Sequence, residues 1–175
     1  MRTTTDAKIA VFCYGNPARE DDGLGPELAR RLEGLSLPHV TVESDYQLMV
    51  EDAALISESS LVVFVDAALD GEEPFSFRQL EERPEAGYMS HSIDPDRLLG
   101  LTRETFGRCP PAYALAIRGY SFEMFKEGLT DRASSNLTEA LSYLVGFLRT
   151  EAAEQHHILR RGTAGAGERA SGGLK

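Results

Sequence analysis

The chain alternates short apolar runs with amphipathic segments, and this alternation limits the fold more than any other feature. The clearest run covers residues 61–67, which read LVVFVDA. A run of this length, rich in β-branched residues and followed by turn-forming residues, is typical of a buried strand. Similar runs at 8–14 and 113–118 are predicted to be strands of the same kind.

The remaining segments give the order β-α-β-α-β-β-α-β-α. This order predicts an α/β domain over residues 1–159, with an open, twisted, mostly parallel sheet of about five strands and helices on both faces. Asp94 is expected to cap a helix that starts at Pro95. The other elements are predicted as strands at 40–43 and 75–80 (an edge strand) and helices at 25–35, 46–57, 94–105 and 131–149.

The last part of the chain differs from the rest in composition. Residues 160–175 are rich in glycine and have no apolar periodicity, so we expect a disordered basic tail. The whole chain of 175 residues carries 18 Lys and Arg against 28 Asp and Glu, a net charge of −10. Because the tail holds four basic residues and one acidic residue, the folded body is more acidic than the whole chain.

Composition excludes several classes of function. An acidic chain has no broad basic surface for nucleic acid, and anionic membrane surfaces are disfavoured for the same reason. No secretory signal or transmembrane stretch is recognisable, so we expect a cytoplasmic protein. The two cysteines, Cys13 and Cys109, cannot form a disulfide framework or a thiolate zinc site, and Cys13 is expected to be buried as a small apolar residue.

Acidic residues occur where two of the predicted strands end. The loop 15–25 after the first strand contains Asp21 and Asp22, and Asp66 ends the run 61–67. The carboxyl ends of parallel strands share one edge of a sheet, where open α/β folds bind their ligands. The alternative is that Asp21 or Asp22 caps the next helix and that Asp66 caps a turn. Asp66 nevertheless needs a partner, because its run is otherwise apolar.

One histidine is a candidate partner for these acids. His91 lies in a polar loop before a predicted helix, where it is either a surface residue or a ligand. His39, His156 and His157 are expected to be structural or surface residues. Asp22, Asp66 and His91 together would offer two carboxylates and one imidazole to a zinc- or nickel-like ion, with coordination positions left open. Three such ligands hold a metal only moderately, which is compatible with an ion that arrives with a substrate.

The segment YGNPAREDDGLG resembles the GN-x4-DDG-x-G signature of hydrogenase maturation proteases. We call residues 15–25 the signature loop. The resemblance covers about residues 8–150, and the other matching segments are 46–48, 63–67, 90–91 with 98–99, 117–123 and 128–130.

The resemblance implies an endopeptidase that removes a C-terminal extension from the nickel–iron hydrogenase large-subunit precursor after nickel insertion. It implies that Asp22, Asp66 and His91 bind the nickel of the substrate and act in catalysis through it, while zinc or cadmium could occupy the same site. Asn16 and Asp21 would shape the signature loop, Asn16 through a left-handed backbone. The general base is open between Asp22 and Asp66, and we expect a monomer.

Two other functions are weighed against the endopeptidase. The first is a non-catalytic chaperone that binds the metal or the precursor on the same fold. The second is a phosphate- or nucleotide-binding module that uses the signature loop at a helix N-terminus. The acids at 20–22 disfavour the second function, because they would repel an anion.

Overall fold

The computed structural model describes residues 8–83 and 93–167, with side chains described as far as residue 154. Within these residues the predicted order of strands and helices is confirmed. The strands are β1 (Ile9–Tyr14), β2 (Val40–Asp45), β3 (Leu61–Ala68), β4 (Phe75–Leu80) and β5 (Ala112–Arg118). The helices are α1 (Leu24–Glu33), α2 (Asp52–Glu58), α3 (Pro95–Phe106) and α4 (Asp131–Gly167), and a short 3₁₀ helix covers Glu20–Gly23.

The strands form one open sheet in the order β2-β1-β3-β5-β4. Strand β1 pairs in parallel with β2 and β3, and β3 pairs in parallel with β5. Strand β4 is antiparallel to β5 and lies at the edge, as its alternating sequence predicted. The mostly parallel α/β sheet is therefore confirmed.

Helices cover both faces of the sheet, because successive side chains of each strand point to opposite sides. On one face Val11, Val63 and Val65 pack against α1 and α4. On the other face Phe12 and Phe64 pack against α2 and α3. Cys13 is buried in the first of these two cores, as expected.

Helix α2 starts later than predicted. The predicted helix began at residue 46, but α2 begins at Asp52. Side chains compete for the backbone amides in between: the Tyr46 amide donates to Asp45 Oδ1 at 2.6 Å, and the Met49 amide donates to Asp52 Oδ2 at 2.9 Å. Such local hydrogen bonds favour turns over helix.

Helix α4 ends later than predicted. Instead of stopping at residue 149 it continues to Gly167, through residues 150–159, which are mostly good helix formers. Its backbone thus includes the first half of the segment 160–175, and residues 168–175 lie outside the described residues. None of the helices in the described part of the chain is both long and apolar enough to cross a membrane.

The start of α3 has the predicted position but not the predicted cap. Asp94 is the N-cap residue, with an extended backbone, and Pro95 is the first helical residue. The side chain of Asp94 makes no capping hydrogen bond. Its carboxylate instead lines a cavity at the carboxyl edge of the sheet.

The chain reverses its direction of travel across the sheet between β1 and β3. From β1 it crosses to β2 on one side, and it then returns to place β3 on the other side of β1. The loops that follow β1 and β3 therefore diverge and leave a crevice, which is the usual ligand site of open α/β sheets. Tyr14 and Asp66 directly follow the paired residues Cys13 and Val65, so both lie at this crevice.

Candidate active site at the carboxyl edge of the sheet

The signature loop folds back over the end of β1, and two glycines allow it to do so. Gly15 has a φ of +142°, and a Cβ atom there would lie 2.1 Å from the carbonyl oxygen of Asp22. A Cβ atom on Gly25 would lie 2.3 Å from the carbonyl oxygen of Tyr14. Side chains at either position would push the loop away from the strand. The close approach places Asp22 beside the sheet edge.

Asp21 is completely buried and fully hydrogen-bonded. Its carboxylate accepts hydrogen bonds from the amides of Tyr120 (2.8 Å), Ser121 (3.1 Å) and Thr130 (2.7 Å), and from the Thr130 hydroxyl (2.9 Å). These donors belong to the segment between β5 and α4. Asp21 therefore ties the signature loop to that segment and has no free oxygen to offer a ligand.

Asn16 closes the turn at the start of the loop without the left-handed backbone that we expected. Among the described non-glycine residues, Glu20 is the one in this loop with positive φ, at 51°. Asn16 instead accepts a hydrogen bond from the Ala18 amide through Oδ1 at 3.0 Å. This side-chain bond closes the turn, so no backbone reversal is needed at Asn16.

Asp22 is partly exposed and is held from two sides. Its Oδ2 accepts a hydrogen bond from the Asn16 amide at 3.2 Å, and Nη1 of Arg19 lies 3.7 Å from the same oxygen. The N-cap of α1 is Gly23, and no side chain caps this helix by a hydrogen bond. The alternative that Asp21 or Asp22 caps α1 is therefore wrong.

Asp66 lies in a very different environment. It is on the same face of β3 as Phe64, and it lines a cavity of about 340 Å³. Its Oδ1 accepts a hydrogen bond from the neighbouring Ala67 amide at 2.7 Å, and its Oδ2 accepts none from the described residues. Strand β3 continues through Ala68, so Asp66 does not cap a turn.

The electrostatics of Asp66 follow from this environment. Burial raises the pKa of Asp66 to about 7, the hydrogen bond from Ala67 acts in the opposite direction, and the negative charge of Asp22 adds to the rise. Asp22 and Asp66 lie at the same edge of the sheet, and the negative charge of Asp22 raises the pKa of Asp66. The two carboxylates therefore repel each other. A cation placed between them would remove that repulsion.

Three residues of the cavity were not predicted from the sequence to belong to the site. Tyr14 ends β1, and burial, followed by the charges of Asp66 and Asp94, raises the pKa of its hydroxyl above the usual range. Asp94 lies at the start of α3. Arg78, on the edge strand β4, has no charged partner among the described residues. The register of the strands brings Tyr14 and Arg78 to Asp66, and the packing of α3 on the sheet brings Asp94 there, so the sequence offered no local signal for their place in the site.

Of the four histidines, the structure describes the side chain of His39 alone. His91 lies outside the described residues, and so do the side chains of His156 and His157. His39 has a φ of 64°, and its carbonyl accepts a hydrogen bond from the Ile9 amide at 2.8 Å, which is a structural role. The described residues contain no group of three His, Cys, Asp or Glu side chains that could hold a metal. They supply two of the three predicted ligands, Asp22 and Asp66.

The sheet is open and mostly parallel, and two interacting carboxylates lie at its switch point. These features define a class of single-sheet α/β proteins that bind ligands beyond the carboxyl ends of their strands. Within this class, the chain shares its fold with hydrogenase maturation proteases.

Three solved structures illustrate this likeness. The hydrogenase maturating endopeptidase HybD from Escherichia coli has a TM-score of 0.67 and 20% identity, covering 82% of this chain and 93% of that chain. The hydrogenase maturation protease HycI from Thermococcus kodakarensis has a TM-score of 0.63 and 21% identity, with the same coverages. The hydrogenase 2 maturation peptidase from a Thaumarchaeota archaeon has a TM-score of 0.60 and 19% identity, covering 81% of this chain and 97% of that chain.

At these identities the likeness concerns the fold. No protein-family model and no curated protein matches the chain.

Proposed function

We propose that this protein is a hydrogenase maturation endopeptidase. It removes a C-terminal extension from the precursor of a nickel–iron hydrogenase large subunit after nickel insertion, and it acts as a cytoplasmic monomer. The fold and the residues of the signature loop support this function. The observation that carries the proposal is the half-buried carboxylate of Asp66, which accepts one hydrogen bond from the described residues and has the charge of Asp22 near it.

The donor set suits a divalent metal bound to the substrate. Asp22 and Asp66 provide carboxylate oxygens, and His91 is proposed as the third ligand, an imidazole nitrogen. Nickel and zinc both accept such mixed oxygen and nitrogen ligands. Two observations support this assignment: one oxygen of Asp66 accepts no hydrogen bond from the described residues, and the charge of Asp66 repels that of Asp22. A cation would relieve both. Zinc or cadmium could replace nickel.

The proposed reaction is hydrolysis of one peptide bond. Water attacks the carbonyl carbon, the carbon–nitrogen bond breaks, and a proton reaches the leaving amine. The substrate's metal would polarise the scissile carbonyl or activate the water. Asp22 or Asp66 would take the proton from water. Asp66 lines the cavity at the carboxyl edge of the sheet.

The test is a processing assay with a nickel-loaded large-subunit precursor, followed by mass spectrometry of the product. We expect the wild type to remove one C-terminal peptide and to leave a nickel-free precursor intact. The Asp22→Asn, Asp66→Asn and His91→Ala variants should each process at least about 100-fold more slowly. Asp70→Asn is the matched control, because Asp70 follows the same strand but its side chain is 98% exposed.

The outcomes separate the proposal from its alternatives. Wild-type rates in all three variants would contradict the assigned site. Tight binding of the precursor by the wild type without any change in mass would indicate the non-catalytic chaperone. Circular dichroism of each variant shows that a loss of processing is not a loss of folding.

A further inference from the structure

Large apolar side chains that remain exposed are concentrated at one edge of the sheet. Helices return from the carboxyl edge of a parallel sheet to its amino edge, so the loops after β2, β3 and β5 lie at the carboxyl edge. These three loops carry five of the eight large apolar residues that are exposed among the described side chains. We call the five residues the apolar rim: Tyr46, Met49, Leu69, Met124 and Phe125.

Two of the other three exposed apolar residues lie at the opposite edge. Leu35 follows α1, and Phe106 is the last residue of α3, where the chain has returned to the amino edge. Tyr143 lies on α4 and packs against the rings of Phe75 and Phe77. Scattered exposed apolar residues are ordinary in proteins, but their concentration in three loops at one edge of the sheet favours a contact surface.

Phe125 is the most extreme member of the apolar rim. Its side chain is 91% exposed, and its φ is 59°, a backbone conformation that is costly for a bulky residue. It belongs to neither core cluster and forms no ring pair with another described aromatic residue. The fold therefore does not explain an aromatic side chain at this position.

The loop that carries Met124 and Phe125 is fixed to the signature loop. The Glu20 amide donates to the Lys126 carbonyl at 2.7 Å, and the Lys126 amide donates to the Ala18 carbonyl at 3.2 Å. Lys126 Nζ also lies 2.6 Å from Glu20 Oε1. Because Asp22 is on the same signature loop, Met124 and Phe125 are held in a set position beside the candidate active site.

We propose that the apolar rim is the docking surface for the folded body of the large-subunit precursor, an inference that rests on the proposed function. A cavity of about 340 Å³ accepts only a short stretch of peptide, so it cannot account for exposed residues in three loops. A protein whose C-terminal segment enters the crevice must also contact the loops around it. Burial of these apolar side chains on the precursor adds affinity that is independent of the metal.

The experiment measures binding to an immobilised, nickel-free precursor, which the protein is expected to leave uncut. The wild-type protein is the parent, so every variant keeps the residues of the candidate active site. Phe125→Gly removes the ring and suits the positive φ, so this variant should fold at least as stably as its parent. We expect Phe125→Gly to weaken binding about tenfold, and Met124→Ser with Phe125→Gly to weaken it further. Phe106→Ala, an exposed aromatic at the opposite edge, should change Kd less than about twofold.

The result that overturns the inference is equal binding by the parent and the double variant, or no binding by the parent. Cleavage by the wild type in either case would leave the proposed function standing. Binding that depends on the rim, without cleavage by the wild type, would support the docking surface and contradict the proposed endopeptidase. A third result is possible: the wild type does not bind the precursor but associates with itself, and the double variant does not. That result would show instead that the rim joins two copies of this chain.

Discussion

Two aspartates at the same edge of the sheet, Asp21 and Asp66, differ sharply in their hydrogen bonding. Asp21 is fully buried and accepts four hydrogen bonds from the segment between β5 and α4. Among the described residues, Asp66 accepts a hydrogen bond only from its neighbour Ala67, and burial raises the pKa of its carboxyl to about 7. A buried carboxylate with many donors stabilises a fold, whereas one with few donors is available to a ligand.

The difference arises from what lies opposite each residue. Asp21 faces a turn whose backbone amides converge on one point, as they do around many bound anions. Asp66 lies on a strand next to Ala116 of β5, which has no side-chain donor. The small alanine also leaves room for the cavity. Asp21 is thus a positioning residue for the signature loop, and Asp66 lines the cavity.

The largest effect on stability is expected from removing Asp21. Asp21→Ala leaves the buried amides of Tyr120, Ser121 and Thr130 without an acceptor, which should cost about 3–5 kcal/mol of unfolding free energy. Urea unfolding measures this loss, and Asp70→Ala, at an exposed acid, is the control. A loss below about 1 kcal/mol for Asp21→Ala would contradict the structural role of this carboxylate.

Replacing Asp66 is expected to raise the unfolding free energy, because folding disfavours the ionised form of its carboxyl group. The penalty is fully present above the folded pKa of about 7, and it shrinks as the pH falls toward the ordinary value of 3.8. In metal-free protein, Asp66→Asn should therefore raise the unfolding free energy at pH 8 by about 1–3 kcal/mol, with a smaller gain at pH 5. Thermal unfolding of the wild type and the variant at both pH values, with a chelator present, measures this gain in unfolding free energy. A pH-independent gain, or a loss at pH 8, would contradict the environment described for Asp66.

The sequence was sufficient to predict those features that depend on neighbours along the chain. The run 61–67 places Asp66 at the end of a buried strand, and the parallel order places it at the same edge as Asp22. The late start of α2 was missed because it depends on particular side-chain bonds to Tyr46 and Met49. Periodicity does not report such competition.

The parts of the site that were missed depend on residues far apart in sequence. The donors to Asp21 lie 99 to 109 positions later in the chain, so its structural role could not be distinguished from that of Asp22 beforehand. Arg78 reaches the cavity only because β4 turns back antiparallel to β5. Long-range register, and not local pattern, decides these contacts.

A third acid, Glu27, should give the smallest effect and a pH dependence opposite to that of Asp66. Hydrogen bonds from Arg30, at 2.7 and 2.8 Å, and then from Arg31 lower the pKa of Glu27 to about 2, although burial acts against them. Its stabilisation is present above the ordinary pKa of 4.5 and is lost as the pH falls toward 2. Because the guanidinium groups are partly exposed, Glu27→Gln should cost only about 0.5–1 kcal/mol at pH 7, less in high salt. Urea unfolding at pH 7 and pH 3 measures this difference, with Glu58→Gln on α2 as the control. If the effects of Glu27→Gln and Asp66→Asn on the unfolding free energy changed with pH in the same direction, the contrast drawn between these two carboxylates would be wrong.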